Sequence, residues 1–328
     1  MRRLLTAALL LCLGIHAAHA ATPLKGWVLE NNEYPNHQGL IHFFQVLQQK
    51  TNNKYSGQVL WRQDLGNQKE VLPKFKKGEL DLAIISNAGL AEAVPEMEVM
   101  SLPFLFRDQN HMMQVLDGEI GDSLRKSLEA KGFTVLAWYN GGSRSFYARG
   151  KAPQYASEFE GKRIRVANRE SMINMVKGLG AQPSTLAYDK VQAALDANEL
   201  DMAENDIVSY LISNHYKEAP NYIFSHHNVL PEAIVVSTQR WKALDAADRE
   251  AFQAAAKESA THMRRLRAEK EAAAKTALEK QGVKFYELKN PLNFVSRMKT
   301  TYAPVVANEA STALMFRIVT QSPSKAAP

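Results

Sequence analysis

Cysteine is almost absent. The single one, Cys12, lies in the first twenty of 328 residues. That segment reads as a leader that is removed, so the rest of the chain has no thiol. Disulfides, thiolate metal sites and cysteine nucleophiles are therefore excluded from it. After residue 20 there is no apolar run of membrane-spanning length, no internal repeat and no long Pro/Gly/Ser linker. Dense basic tracts are also missing. The formal charge is +6 and the pI near 9.2. Nucleic acid is not an expected partner, and a mildly basic chain suits acidic small solutes.

Motifs of common enzyme chemistry are missing too. No Gly-x-Gly-x-x-Gly follows a strand, and there is neither a phosphate-loop Gly-Lys-Ser/Thr nor a Gly-x-Ser-x-Gly elbow. The histidines beyond residue 20 (His37, His42, His111, His215, His226, His227 and His262) form no His-Glu-x-x-His pair. No cofactor, metal or catalytic residue is expected. Gly141-Gly142-Ser143 follows a strand and reads as a turn, not a nucleophile elbow.

What is present begins with the leader. Arg2 and Arg3 precede an apolar run from Leu4 to Ile15, and Ala18-His19-Ala20 places small residues at a signal-peptidase site. Cleavage after Ala20 is expected. The apolar content of 45% and the length then suggest two folded domains. Strand-like runs at 24–29, 58–61, 80–86, 134–139, 162–167 and 232–238 alternate with helical patterns. This order predicts an α/β fold with largely parallel sheets. From Trp241 to Gly282 the pattern is helical throughout. Asp245 is its expected N-cap, and Phe252, Ala255, Ala256, Ser259, Met263 and Leu266 form its apolar stripe. Such length implies a helix that braces two domains or one that breaks near Lys270. Arg264, Arg265, Arg267 and Lys270 read as a solvated face.

The binding chemistry lies in three places. Lys162-Arg163-Ile164-Arg165-Val166-Ala167 alternates charged and apolar residues, so Arg163 and Arg165 share one strand face. An arginine as deep in a strand as Arg165 needs a carboxylate or an anionic ligand. The pattern leaves both open. Arg144 follows another strand, where ligands of open α/β sheets collect. Asn205 precedes a helical run and either caps it or offers an amide to a ligand.

Together these places resemble one family. Gly161-Lys162-Arg163-Ile164-Arg165-Val166, Leu179-Gly180-Ala181-Gln182-Pro183-Ser184, Tyr188, Val191-x-x-Ala194-Leu195 and Asp201-x-x-Glu204-Asn205 are similar to the solute-binding proteins of tripartite ATP-independent periplasmic (TRAP) transporters. Gln63-Asp64-Leu65-Gly66, Gly78-Glu79-Leu80-Asp81-Leu82-Ala83 and Ser101-Leu102-Pro103-Phe104-Leu105-Phe106 extend the match over nearly all of residues 21–310.

The resemblance implies a two-domain periplasmic binding protein with a ligand cleft between the domains, crossing strands and a long bracing helix. Residues 21–141 plus 231–270 would form domain I, and 142–230 plus 271–328 domain II. It implies a periplasmic location, a monomer, an organic-acid ligand and a membrane permease as partner. Arg165 takes the position of the carboxylate-binding arginine, Asn205 that of the cleft asparagine and Arg144 that of a second cleft arginine. Tyr188 falls where an aromatic residue lines the cleft. Sialic-acid binders carry acidic residues where this chain has Asn67 and Ser86-Asn87. The stretches around Arg144, Glu204 and His226 look instead like members that bind uronic and other sugar acids. Glu30 and His37 follow the first strand and are candidates to meet ligand hydroxyls. Alternatives are a four-carbon dicarboxylate or keto acid, a sensory role, or a sugar-acid enzyme using Glu204 or His37 as base.

Overall fold

In the computed structural model, residues 21–321 are described. The expected leader and its cleavage site lie outside them. Nine strands form one continuous mixed sheet. They are β1 (Thr22–Trp27), β2 (Tyr55–Leu60), β3 (Leu82–Ser86), β4 (Phe133–Ala148), β5 (Arg163–Arg165), β6 (Gln182–Ser184), β7 (Met202–Asn205), β8 (Asn221–Ser237) and β9 (Lys284–Glu287). The order is β2-β1-β3-β8-β4-β7-β5-β6, with β9 on β8. Parallel pairing holds at both ends, β1 with β2 and β3, and β5 with β6 and β7. The centre is antiparallel, which the alternation of strands and helices does not disclose.

Two lobes share the long strands β4 and β8. In the first lobe the amino half of β4 lies against the carboxyl half of β8, with β3, β1 and β2 beyond. In the second, the remaining halves carry β7, β5, β6 and β9. Core residues form four clusters. Two cover opposite faces of the first lobe's sheet, around Trp27 with Trp138 and around Phe43 with Phe252. The other two do the same for the second, around Phe146 with Phe159 and around Tyr147 with Tyr210. Their side chains alternate along β4, as a period of two requires, except at a register shift where Leu136 and Ala137 both face the Phe43 cluster.

Register shifts between Asn140 and Ser143 and between Arg144 and Phe146 mark the crossing. Gly141-Gly142 is thus not a turn but a bulge inside β4, which bends the strand without ending it. Gly142 has φ +98°, and a Cβ there would lie 3.0 Å from Arg267 Nη1. A Cβ on Gly141 would lie 2.9 Å from the Leu230 carbonyl oxygen. At the second register shift, where its N–H donates to Ser145 Oγ, His226 has φ +43°.

The long helix is unbroken from Ala246 to Lys280, and the Asp245 side chain accepts from Asp248 N at 2.8 Å. It packs on both lobes. Phe252 and Met263 join the first, Ala274 and Leu278 the second. Between them Arg267 is only 3% exposed, which corrects its reading as part of a solvated face. It stands four residues after Met263 and so continues the buried stripe. Leu266, expected on that stripe, is only partly buried. The C-terminal segment also differs from its expected place in domain II. Phe294 and Met298 pack on the second lobe, but Val305 and Ile318 join the first-lobe core, and Ile318 O contacts His111 Nε2 at 3.1 Å. No described helix is long and apolar enough to cross a membrane.

Candidate functional site

At the carboxyl end of β5, two arginines of the same strand have different fates. Arg163, nearer the strand's start, is half exposed and pairs with Asp201, Nη2 to Oδ1 at 2.8 Å. Arg165 is 7% exposed and makes no ion pair among the described residues. Its Nε donates to the Leu186 carbonyl at 3.0 Å, and its guanidinium carbon lies 6.0 Å from the centre of the Tyr188 ring. Burial depresses its pKa, and the positive charge of Arg144 opposes the pull of Glu204. A desolvated guanidinium without a counter-charge is costly. The internal ion-pair reading thus finds no partner among the described residues.

Arg144 is the opposite case. It sits on β4 just past the bulge, beside β7. Its Nε and Nη2 both meet the Glu204 carboxylate, and Nη2 also donates to the Glu204 carbonyl at 3.0 Å. Burial alone would raise the Glu204 pKa. The Arg144 charge, with His227 3.5 Å away, overrides it and holds Glu204 at about 2. Two edges of Arg144 are therefore already engaged, and the pair forms a rigid floor.

Asn205 ends β7. Its Oδ1 accepts from Asp206 N at 3.0 Å, and its Nδ2 makes no hydrogen bond within the described chain. The helix Ile207–Ile212 is capped by the next residue, Asp206, whose Oδ1 accepts from Val208 N and Ser209 N at 3.1 and 3.0 Å. Tyr188 is 40% exposed, with its hydroxyl 3.4 Å from Ser209 O. From the first lobe, the Tyr34 hydroxyl meets Ser209 Oγ at 3.2 Å, so the lobes touch across this end of the cleft.

Glu30 follows β1, and its buried Oε2 has no partner. Burial raises its pKa despite the charge of Arg267. His37 Nδ1 lies 2.9 Å from Glu30 O. Glu232 on β8 is held up at about 8, by burial first and Glu30 second. Asn36 Nδ2 donates to it, and Asn36 Oδ1 accepts from Arg267 Nη2 at 2.8 Å. Ser86 and Asn87 follow β3. Ser86 N is bonded to Gln68 Oε1, while Asn87 turns into the first-lobe core and donates to Met97 O and Ser101 Oγ at 2.9 and 2.8 Å. Asn87 is thus less available to a ligand than its sequence position suggests.

A family model described as bacterial extracellular solute-binding protein, family 7, matches residues 28–312. The chain belongs to that family. A solute-binding protein of Chromohalobacter salexigens is 31% identical over 294 residues, 90% of this chain and 88% of that protein. A TRAP periplasmic solute-binding protein of Roseobacter denitrificans, solved with bound β-D-glucuronate, superposes with a TM-score of 0.83 at 33% identity. That match covers 92% of this chain and 100% of the other. One from a Bradyrhizobium species, in complex with α/β-D-galacturonate, gives 0.80 at 32% identity, covering 92% and 100%. The TRAP resemblance read from the motifs is met by these matches, as is the two-lobed α/β architecture.

Within this family 7 chain, sequence reasoning missed Arg169. It lies four residues beyond Arg165 and caps the helix Glu170–Gly178. Its guanidinium has no hydrogen bond or ion pair among the described residues. Arg267 was missed as well, although its spacing from Met263 was the available signal.

Proposed function

We propose that the chain captures a hexuronate or closely related sugar acid between its lobes and hands it to a TRAP membrane permease. The observation that carries this reading is Arg165, a buried guanidinium at a strand end with no ion-pair partner among the described residues. Its fork receives the ligand carboxylate in two parallel hydrogen bonds. Asn205 Nδ2 donates to the same end, and the Tyr188 ring covers it. Arg144, locked on Glu204, keeps the floor rigid and offers its remaining edge. Glu30 and His37 of the first lobe meet hydroxyl groups, with Ser86 and Asn87 at the margin of the cleft. Support comes from the glucuronate and galacturonate bound in the two solved relatives.

Closure is part of the proposal. One charge-assisted hydrogen bond contributes about 1.5–3 kcal/mol, whereas micromolar affinity needs about 8 kcal/mol. The remainder comes from the second lobe folding over the solute. The bodies that move are 21–141 with 231–270, and 142–230 with 271–298, with the Glu309–Thr320 helix carried on the first. The protein acts as a monomer in the periplasm once the leader is removed after Ala20. It binds without turnover. Glu204, the candidate base, is held at about 2, too acidic to accept a proton efficiently near neutral pH.

Calorimetric titration of refolded protein with D-glucuronate and D-galacturonate tests this. Stoichiometric binding is expected, lost in Arg165→Ala while its apo melting profile is kept. Wild-type affinity in that variant, or four-carbon dicarboxylates binding more tightly than either uronate, would refute the reading.

A further inference from the structure

Gln109 opens the first-lobe helix Gln109–Asp117, and its side chain crosses to the long helix. Nε2 donates to Glu271 Oε1 and Oε2 at 3.3 and 3.1 Å, while Oε1 accepts from Asn140 Nδ2. Asn140 Oδ1 in turn accepts from Gly142 N at 2.9 Å. One line of hydrogen bonds thus runs from the glycine bulge of β4, through Gln109, to Glu271. Glu271 stands past the lobe boundary. On the same helix Met263 belongs to the first-lobe core and Ala274, just beyond Glu271, to the second. Burial raises the Glu271 pKa, and the Arg267 charge and the Gln109 hydrogen bond oppose that rise.

Open space flanks this link on both sides. A cavity of about 670 Å³ is lined by Met113, Asp117 and Arg264 on the first-lobe side. A smaller one of about 220 Å³ is lined by Ile207, Tyr222 and Phe224 of the second lobe. Gln109, His226 and Glu271 border both. Close-packed interiors resist small displacements. Here the helix and the crossing strands are held apart, so the lobes turn about the bulge at little packing cost, and the bonds to Glu271 are what must break. They are made in a structure whose lobes also touch through Tyr34 and Ser209. We infer that the Gln109–Glu271 bond is a clasp of the closed arrangement, and that these two residues retain the solute by positioning the lobes and not by touching it. This rests on the closure argued under the proposed function.

Exchanging the two groups tests it. Gln109→Glu sets two carboxylates face to face. Adding Glu271→Gln restores donor and acceptor with their places reversed, and Asn140 keeps an acceptor at position 109. The chain after residue 20 has no cysteine. Lys69→Cys with Lys177→Cys, exposed on opposite lobes, therefore carries a spin-label pair that reads their separation. In Gln109→Glu, D-glucuronate is expected to dissociate roughly ten- to hundred-fold faster, with a longer label distance and the apo melting temperature kept. The exchanged pair is expected to return to within about three-fold of wild type. Unchanged rates and label distances in Gln109→Glu would overturn the clasp. A lowered apo melting temperature with an unchanged dissociation rate would do the same, since the bond would then be fixed scaffold. Either result leaves the sugar-acid reading standing. A wild type that binds no uronate overturns that reading, and the label distances of the ligand-free proteins then decide the clasp by themselves.

Discussion

Replacing Glu204 by glutamine leaves the Arg144 guanidinium buried with no carboxylate among the described residues to answer it. Breaking one half of a buried ion pair costs about 3–5 kcal/mol. Arg144 keeps 16% of its side chain exposed, and glutamine still offers an oxygen, so we take about 2–4 kcal/mol. For a chain of this size each kcal/mol moves the melting temperature by about 2–4 °C. Glu204→Gln should therefore melt about 4–15 °C below wild type. Adding Arg144→Met removes the orphaned charge and should recover at least half of the loss.

An acid titration gives an independent reading of the same pair. The Arg144 charge holds the folded carboxyl at about 2, against 4.5 for an unperturbed glutamate. Between those values the unfolded chain binds the extra proton. The stabilisation is thus fully present above 4.5 and lost as pH falls towards about 2. At about 1.4 kcal/mol per pH unit, roughly 3 kcal/mol is involved. Glu204→Gln lacks this slope. Urea unfolding at stepped pH reads both effects. A variant that melts within about 2 °C of wild type and keeps the wild-type acid slope would refute the reasoning.

Glu232 works in the other direction. Its folded pKa is raised to about 8, so its stabilisation is present below 4.5 and lost as pH climbs through about 8. Glu232→Gln should flatten the fall in melting temperature between pH 4.5 and about 8, and an unchanged slope would place that titration elsewhere. Tyr34→Phe removes the cross-lobe bond to Ser209 and should weaken ligand binding by about two- to ten-fold with apo stability kept; equal affinity would show that the contact does not favour closure. Gly142→Ala forces a side chain onto φ +98° and against Arg267, and should cost about 1–2 kcal/mol in urea unfolding. No loss there would mean that the bulge relaxes freely.

Features written in local periodicity were legible. The long helix and its cap at Asp245 follow from spacing, although spacing left open a break near Lys270 that the structure does not have. Arg165 stood out because an arginine so deep in a strand needs a carboxylate or an anionic ligand, although the pattern left both open. What local pattern hides is the identity of a distant partner. Arg144 and Arg165 look equivalent as two arginines at strand ends, yet Glu204, 60 residues on from Arg144, engages one and leaves the other open. The β-ladder between β4 and β7 makes that choice by setting Phe146 opposite Glu204.

The same limit explains the crossing strands and the two overlooked arginines. Two consecutive glycines read locally as a turn, and only pairing with β8 on both sides shows that β4 continues through them. Arg267 is masked by Arg264 and Arg265, whose ion pairs with Asp117 and Glu269 do lie on the exposed side. One further helical step rotates the chain inward, where Asn36 receives the guanidinium. Arg169 is hidden by its place at a helix start, where a charged residue attracts no attention. In a cleft built from two bodies, half of every contact belongs to the body that is remote in sequence. On the first lobe Glu30 and His37 could be read in advance from their place after β1, whereas Asn36, Glu232 and Arg267, joined to one another across β8 and the long helix, could not.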